Sequence, residues 1–112
     1  MEVSARTEGD TQIVSVLEDR IDAAVALAFK DRMRETTEGA PGTVVLDLRQ
    51  VTFIDSSGLG AIVALLKHLA PARRLVLAGL TPAVDKVFRL TRMDSVFSVF
   101  GTLDEALQAR PV

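Results

Sequence analysis

The segment beginning at Thr43 constrains the fold more than any other. Thr43 to Arg49 contains Val44-Val45-Leu46, an unbroken apolar run. A strand with apolar side chains on both sides has to be covered on both faces, as in a parallel or mixed sheet packed with helices. Gln50 to Ile54 carries the chain to Asp55-Ser56-Ser57-Gly58, which reads as a turn, and a helix is expected from Ser57 to about Leu69. Pro71 breaks that helix, and Arg74-Leu75-Val76-Leu77-Ala78 is the next strand. Thr81-Pro82 opens a further helix, with Thr81 as N-cap and proline at the first helical position. Val84, Val87 and Phe88 would be its buried side. Val96 to Phe100 reads as a short last strand, and Thr102-Leu103-Asp104-Glu105 is a capping box that starts a helix over 103–110. This alternation of strand and helix implies right-handed crossovers and mostly parallel strands.

The N-terminal part reads differently. Residues 2–7 and 11–17 are two short strands joined at Gly9-Asp10, a hairpin signal. The second, Thr11-Gln12-Ile13-Val14-Ser15-Val16-Leu17, is rich in β-branched residues. Asp22 is placed as the N-cap of a helix over 23–38, in which Val25, Phe29 and Met33 recur every four residues and form an apolar face. Gly39-Ala40-Pro41-Gly42 ends it. The expected architecture is α/β, a mixed sheet with four helices packed on it, formed by one domain over 1–112.

Charge and composition exclude several classes of function. With 13 basic and 15 acidic residues, and arginines scattered as Arg32 and Arg34, Arg73 and Arg74, and Arg89 and Arg92, no concentrated basic face points to nucleic acid. The absence of cysteine removes disulfides, thiol catalysis and thiolate metal sites. Met1 to Arg6 lacks the apolar core of a signal peptide, and the run from Leu59 to Leu66 is far short of the roughly 18 residues of a spanning helix. A cytoplasmic protein without membrane insertion is expected.

The Asp55-Ser56-Ser57-Gly58 turn should lie at the carboxyl end of a strand, where open α/β sheets meet ligands and partners. It is not a hydrolase elbow, because Ile54 stands where that motif requires glycine. The sole histidine, His68, is twelve residues beyond Ser56, roughly 18 Å along a helix, and cannot take the serine proton. Gly58-Leu59-Gly60-Ala61-Ile62-Val63 resembles a dinucleotide fingerprint but has valine in the third glycine place, and no Walker lysine follows. Exposed amides at a helix start could still hold an anion. Asp22 and Asp55 could contribute to a magnesium site, but turn formation and capping account for both, and no metal is expected.

What remains is a serine displayed at a helix start beside an acid. Leu59, Ile62, Val63 and Leu66 are the expected core stripe of this helix, which leaves Gly60, Ala61 and Ala64 on the other side. Small residues there either let a second protein approach closely or are covered by the chain itself. Ser56 and Ser57 either cap the helix or form a phosphorylation switch. A phosphoryl group would add about 1.5 to 2 negative charges. The helix N-terminus would tolerate it, while a docking surface beside it would be repelled.

Val51-Thr52-Phe53-Ile54-Asp55-Ser56-Ser57-Gly58-Leu59-Gly60, preceded by Val44-Val45-Leu46-Asp47-Leu48, resembles the STAS family, and more narrowly the stand-alone anti-sigma factor antagonists of bacteria. The likeness continues through Leu80-Thr81-Pro82-Ala83-Val84 and Met93-Asp94-Ser95-Val96-Phe97 to Thr102-Leu103-Asp104-Glu105-Ala106-Leu107. The resemblance implies a non-enzymatic partner switch with no cofactor of its own. In its unphosphorylated form it would bind an anti-sigma factor that is a GHKL-type serine kinase, and so release a sigma factor. The kinase, which would bring the ATP and magnesium, would phosphorylate the serine after the aspartate, here Ser56. A PP2C-like phosphatase would reverse the step. Asp22 and Asp55 match acidic positions beside this site, and the implied partner surface comprises Asp22, Asp55, Ser56, Ser57, Gly58, Gly60, Ala61 and Ala64. Glu18-Asp19 stand where the family often has glycine, a departure that bears on partner choice. The alternatives are a non-switching STAS subunit of a lipid-transport or signalling complex and a small-ligand or nucleotide-binding domain. The intact Asp55-Ser56 pair favours the switch.

Overall fold

In the computed structural model, which describes residues 1–109, seven strands and four α-helices follow one another. They are β1 (Val3–Glu8), β2 (Thr11–Val16), β3 (Arg20–Ile21), α1 (Ala26–Thr36), β4 (Thr43–Asp47), β5 (Phe53–Ile54), α2 (Ser56–Leu69), β6 (Arg74–Ala78), α3 (Pro82–Leu90), β7 (Ser98–Phe100) and α4 (Leu103–Gln108). A 3-10 turn, Met93–Ser95, lies between α3 and β7. Five strands form a mixed sheet in the order β1-β2-β4-β6-β7. β1 and β2 are the antiparallel hairpin, with Glu8 opposite Thr11 across Gly9-Asp10, and the remaining pairs are parallel. Gly9 has a positive φ of 57°, which suits glycine in so tight a connection.

Both faces of the sheet are covered, as the apolar run at 44–46 requires. Val44 and Leu46 of β4 pack on one side with Val14, Val16, Leu75 and Leu77, against Phe29 and Met33 of α1, Ile62 and Leu65 of α2, and Val84 and Phe88 of α3. Val45 points the other way and packs with Ile13, Val76 and Ala106 of α4. Phe97 closes the lower edge of the larger core through an edge-to-face contact with Phe88, their ring centroids 5.8 Å apart. The strand-helix alternation and the mixed sheet with four helices are therefore as the sequence predicts.

Several local expectations are corrected. The first helix begins at Ala26 and ends at Thr36, because Asp22 is not its N-cap. Asp22 instead closes a turn, its Oδ1 accepting from the Ala24 N–H at 3.1 Å and its carbonyl from the Val25 N–H at 3.1 Å. The second helix starts at Ser56 with Asp55 as N-cap, one residue earlier than expected. Its buried residues include Ala61, Leu65 and Leu69, while Val63 and Leu66 are only partly covered. Thr81 is the N-cap of α3 before Pro82, as expected, but its hydroxyl makes no capping bond and donates to the Val51 carbonyl at 2.7 Å. The last strand begins at Ser98, since Met93–Ser95 is wound into the 3-10 turn. The final helix ends at Gln108, and residue 110 of the expected span lies outside the described residues. No helix among the described residues is long and apolar enough to cross a membrane.

The sequence gives no sign of β3 and β5, since two residues carry no periodic signal. They pair in parallel as a separate two-stranded sheet, Arg20 beside Phe53 and Ile21 beside Ile54. Asp19 anchors this annex, its carbonyl accepting from the Thr52 and Phe53 N–H groups at 2.8 and 3.2 Å. Its buried side is Ile21 and Ile54, both part of the larger core.

Candidate functional site

The annex brings two stretches far apart in sequence to one place. Strand β3 ends at Ile21 and delivers Asp22; β5 ends at Ile54 and delivers Asp55 and Ser56. Asp55 joins them. Its Oδ1 accepts from the Gly58 N–H at 2.9 Å, and its Oδ2 accepts from the Ala23 N–H at 3.1 Å. One carboxylate thus caps α2 and ties the α2 start to the loop before α1. The amide of Gly58, helped by those of Ala23 and Ser57, holds the Asp55 carboxyl below the usual aspartate value, against a smaller opposing effect of desolvation.

This lowered value has a definite sign. The folded state favours the ionised form, so its stabilising effect is complete above the ordinary aspartate value of about 3.9 and is lost as pH falls through the lowered folded value. Asn at position 55 keeps a capping oxygen but cannot titrate. Asp55→Asn should therefore melt below the parent at neutral pH, and the gap should close in strong acid. Thermal melts followed across that range check this; parallel profiles for the two proteins would refute the cap's ionic character.

Around this link the expected residues separate into three groups. Ser56 and Ser57 are exposed in the first turn of α2, and Gly60 is exposed one turn on. Asp22 and Asp55 are half-buried at the joint. Gly58 and Ala61, both placed in the implied partner surface, are buried, and Ala64 is only partly covered. Gly58 faces the annex, where a Cβ would collide with the Ile21 carbonyl oxygen and lie 2.9 Å from Ile54 Cγ1. Ala61 belongs to the core. Ala64 borders a small cleft between α1 and α2, beside Lys30 and Arg34. Of the small-residue side, the chain itself covers Ala61 and leaves Gly60 open; a Cβ at Gly60 would meet nothing within 4 Å.

Three further residues enter the site. The Arg20 guanidinium lies 4.2 Å from the centroid of the Phe53 ring and donates from Nε to Asp22 Oδ2 at 3.2 Å. Phe53 is 40% exposed, and Leu27, in the first turn of α1, is 67% exposed. The arginine holds this exposed aromatic ring in place beside Asp22. The clue in the sequence is Phe53 itself, an aromatic between polar Thr52 and the turn. What it lacks is β3, which alone puts Arg20 alongside.

Among the described residues no group of three or more histidine, cysteine or acidic side chains could hold a metal ion, and His68 is near the far end of α2 from Ser56. Ser56 stands exposed at the first position of α2, next to the capping carboxylate of Asp55.

Comparison with known proteins places the chain in a family. The STAS domain model matches residues 2–106, and the chain belongs to that family. Within it, the chain is similar to the anti-sigma factor antagonists. It is 30% identical to the anti-sigma-B factor antagonist of Listeria monocytogenes over 95 residues, 82% of each chain. Its fold matches the crystal structure of an anti-sigma factor antagonist from Mycobacterium paratuberculosis with a TM-score of 0.86 and 28% identity, covering 96% of this chain and 92% of the other. The phosphorylated form of the Bacillus cell fate determinant SpoIIAA shares the fold, at a TM-score of 0.67 and 21% identity over 96% of this chain and 97% of that one.

Proposed function

We propose that this protein is an anti-sigma factor antagonist, a non-catalytic switch that binds a GHKL-type anti-sigma factor kinase while Ser56 is unmodified and releases it once Ser56 is phosphorylated. The observation that carries the reading is the Asp55 link. It holds Ser56 at the exposed start of α2 while tying that start to the loop that bears Asp22. The relatives named anti-sigma factor antagonists support the antagonist role, and the existence of a phosphorylated SpoIIAA of the same fold supports the switch. In this reading Asp22, Asp55, Ser56, Ser57, Gly60 and Ala64 are at or beside the partner surface, with Arg20, Phe53 and Leu27 added. Gly58 and Ala61 act from within by fixing how α2 seats. The chain works as one STAS domain in the cytoplasm, and a PP2C-like phosphatase returns it to the binding form.

Phosphate mapping by mass spectrometry on protein exposed to the cognate kinase and ATP tests the choice of serine. Label on Ser56, kept in Ser57→Ala and absent in Ser56→Ala, is the expected result. Label on Ser57 instead, or loss of all label in a folded Ser57→Ala protein, would overturn the assignment. A subunit that serves only as scaffold in a lipid-transport complex would carry no label at either position and would be captured with an ABC-type ATPase.

A further inference from the structure

The face of the sheet covered by α4 holds a second feature, remote in function from Ser56. Alternation along the strands places Ser4 and Arg6 of β1, Ile13 and Ser15 of β2, and Asp47 of β4 on this one face, since Ser4 is opposite Ser15, Arg6 opposite Ile13 and Ser15 beside Asp47. Helix α4 covers the middle of the face but stops short of the β1–β2 hairpin, which leaves an open groove of about 260 Å³. Ile13, Leu17 and Leu103 give the groove apolar walls, and Arg6 and Arg49 bring two guanidinium groups to it.

Arg49 is held there by a buried charge. Asp47 is 1% exposed; its Oδ2 accepts a hydrogen bond from the Ser15 hydroxyl at 2.9 Å and forms an ion pair with Arg49 Nε at 3.1 Å, and its Oδ1 accepts from the Arg49 N–H at 3.1 Å. Burying a carboxylate is costly unless it is paired and hydrogen-bonded in this way. The pairing uses Nε, whereas the Arg49 side chain as a whole is 65% exposed. Among the described residues its two terminal nitrogens donate no hydrogen bond, and the Arg6 guanidinium makes neither a hydrogen bond nor an ion pair. Of the residues that line the groove, Arg6 and Arg49 are the charged ones, against the single buried carboxylate of Asp47; Glu8 shares the face by the same alternation but does not line the groove.

We propose that this groove binds a small amphipathic anion, a carboxylate or phosphate monoester on a short apolar chain. The anionic head lies between Arg6 and Arg49, because a guanidinium presents paired N–H donors that match two oxygens of such a group. The apolar tail lies on Ile13, Leu17 and Leu103. Ser15 and Asp47 act as positioning residues that fix Arg49 and touch no ligand. Nothing in this site involves Ser56, so the proposal stands or falls separately from the switch.

The test is an NMR titration of the full chain with hexanoate and with hexyl phosphate, with hexanol as the uncharged probe. Both anions should give saturable shifts of the Ser4, Arg6, Ser15 and Arg49 amides, and whichever binds more tightly identifies the head group. Hexanol should bind at least about tenfold more weakly, as expected when a hydrogen-bonded charge is lost. Arg49→Gln leaves Asp47 buried with only Ser15 as a side-chain partner and risks the fold, so Arg6→Gln is the decisive variant. It lies on an exposed edge strand and should fold normally while losing about tenfold in affinity for either anion. No saturable shift, shifts mapping away from this face, equal affinity for hexanol, or unchanged affinity in Arg6→Gln would each overturn the proposal.

Discussion

Gly58→Ala should destabilise the protein by about 1–3 kcal/mol, the range seen when an atom is forced into a packed site, and lower its melting temperature by roughly 4 °C for each of those. The added methyl would meet the Ile21 carbonyl oxygen, part of the backbone, and the Ile54 side chain, so no flexible group can simply swing aside. Either α2 withdraws or β3 parts from β5. Both movements loosen the Asp55–Ala23 hydrogen bond, so binding of the kinase should fall along with stability. Gly60→Ala, two residues on, should do the reverse to the fold. Its Cβ has open space, and alanine in an exposed helical position is worth up to about 1 kcal/mol over glycine. If Gly60 lies under the partner, that same change weakens binding while raising the melting temperature. Thermal melts of the two variants check the contrast, and equal melting temperatures would show that the annex does not fit against α2 as described.

The second large effect concerns binding alone. Ser56→Asp should leave the fold intact, because an acid in the first turn of a helix is favourable by about 0.3–1 kcal/mol and Ser56 is exposed there. Affinity for the cognate kinase should nevertheless drop by about 2 kcal/mol or more, close to thirtyfold, since the new charge joins Asp22 and Asp55 at a surface that must be desolvated. Ser56→Ala should bind as the parent does and accept no phosphate. Calorimetric titration against the kinase, with circular dichroism of each variant alongside, measures both. Parent-like affinity for Ser56→Asp would end the electrostatic account of release.

Why some of this could be read from the sequence and some could not has a physical basis. The run at 44–46 and the strand at 74–78 are long enough to carry a pattern, and their both-faces burial follows from it. Proline after threonine at 81–82 and the capping box at 102–105 mark helix starts through backbone chemistry that acts within four residues. Thr102 indeed caps α4, accepting from the Glu105 N–H at 3.1 Å. The annex leaves no such mark. Its pairing depends on contacts between residues some thirty positions apart, and so did the facts that follow from it. Asp22 is a turn residue and not a cap because β3 directs the chain elsewhere, Gly58 is buried because Ile21 sits on it, and Arg20 finds Phe53. The core side of α2 is legible only in part, for a related reason: Leu59 and Ile62 are buried as expected, while Val63 and Leu66 are only partly covered. Counting large residues favoured Val63 and Leu66, whereas the close packing of α2 between α1, the sheet and the annex needs small groups inside and places Ala61 there.

The annex has only two residue pairs, while the main sheet runs to five strands. In a cooperative structure, segments with few buried contacts and short hydrogen-bond ladders open at lower free energy than the body they attach to. The arrangement makes the loop bearing Asp22 a hinged leaf and α2 a fixed post. The post is rooted by Leu65 and Leu69 in the core, so the serine at its tip keeps its position whatever the leaf does. Slow amide exchange should persist along β4, β6 and the middle of α2, while the amides of Ile21 and Ala23 exchange early. A binding partner would then meet one rigid contact and one that can be reshaped to suit it. Sequence drift in the leaf could change which partner is accepted without disturbing the sheet that carries the fold.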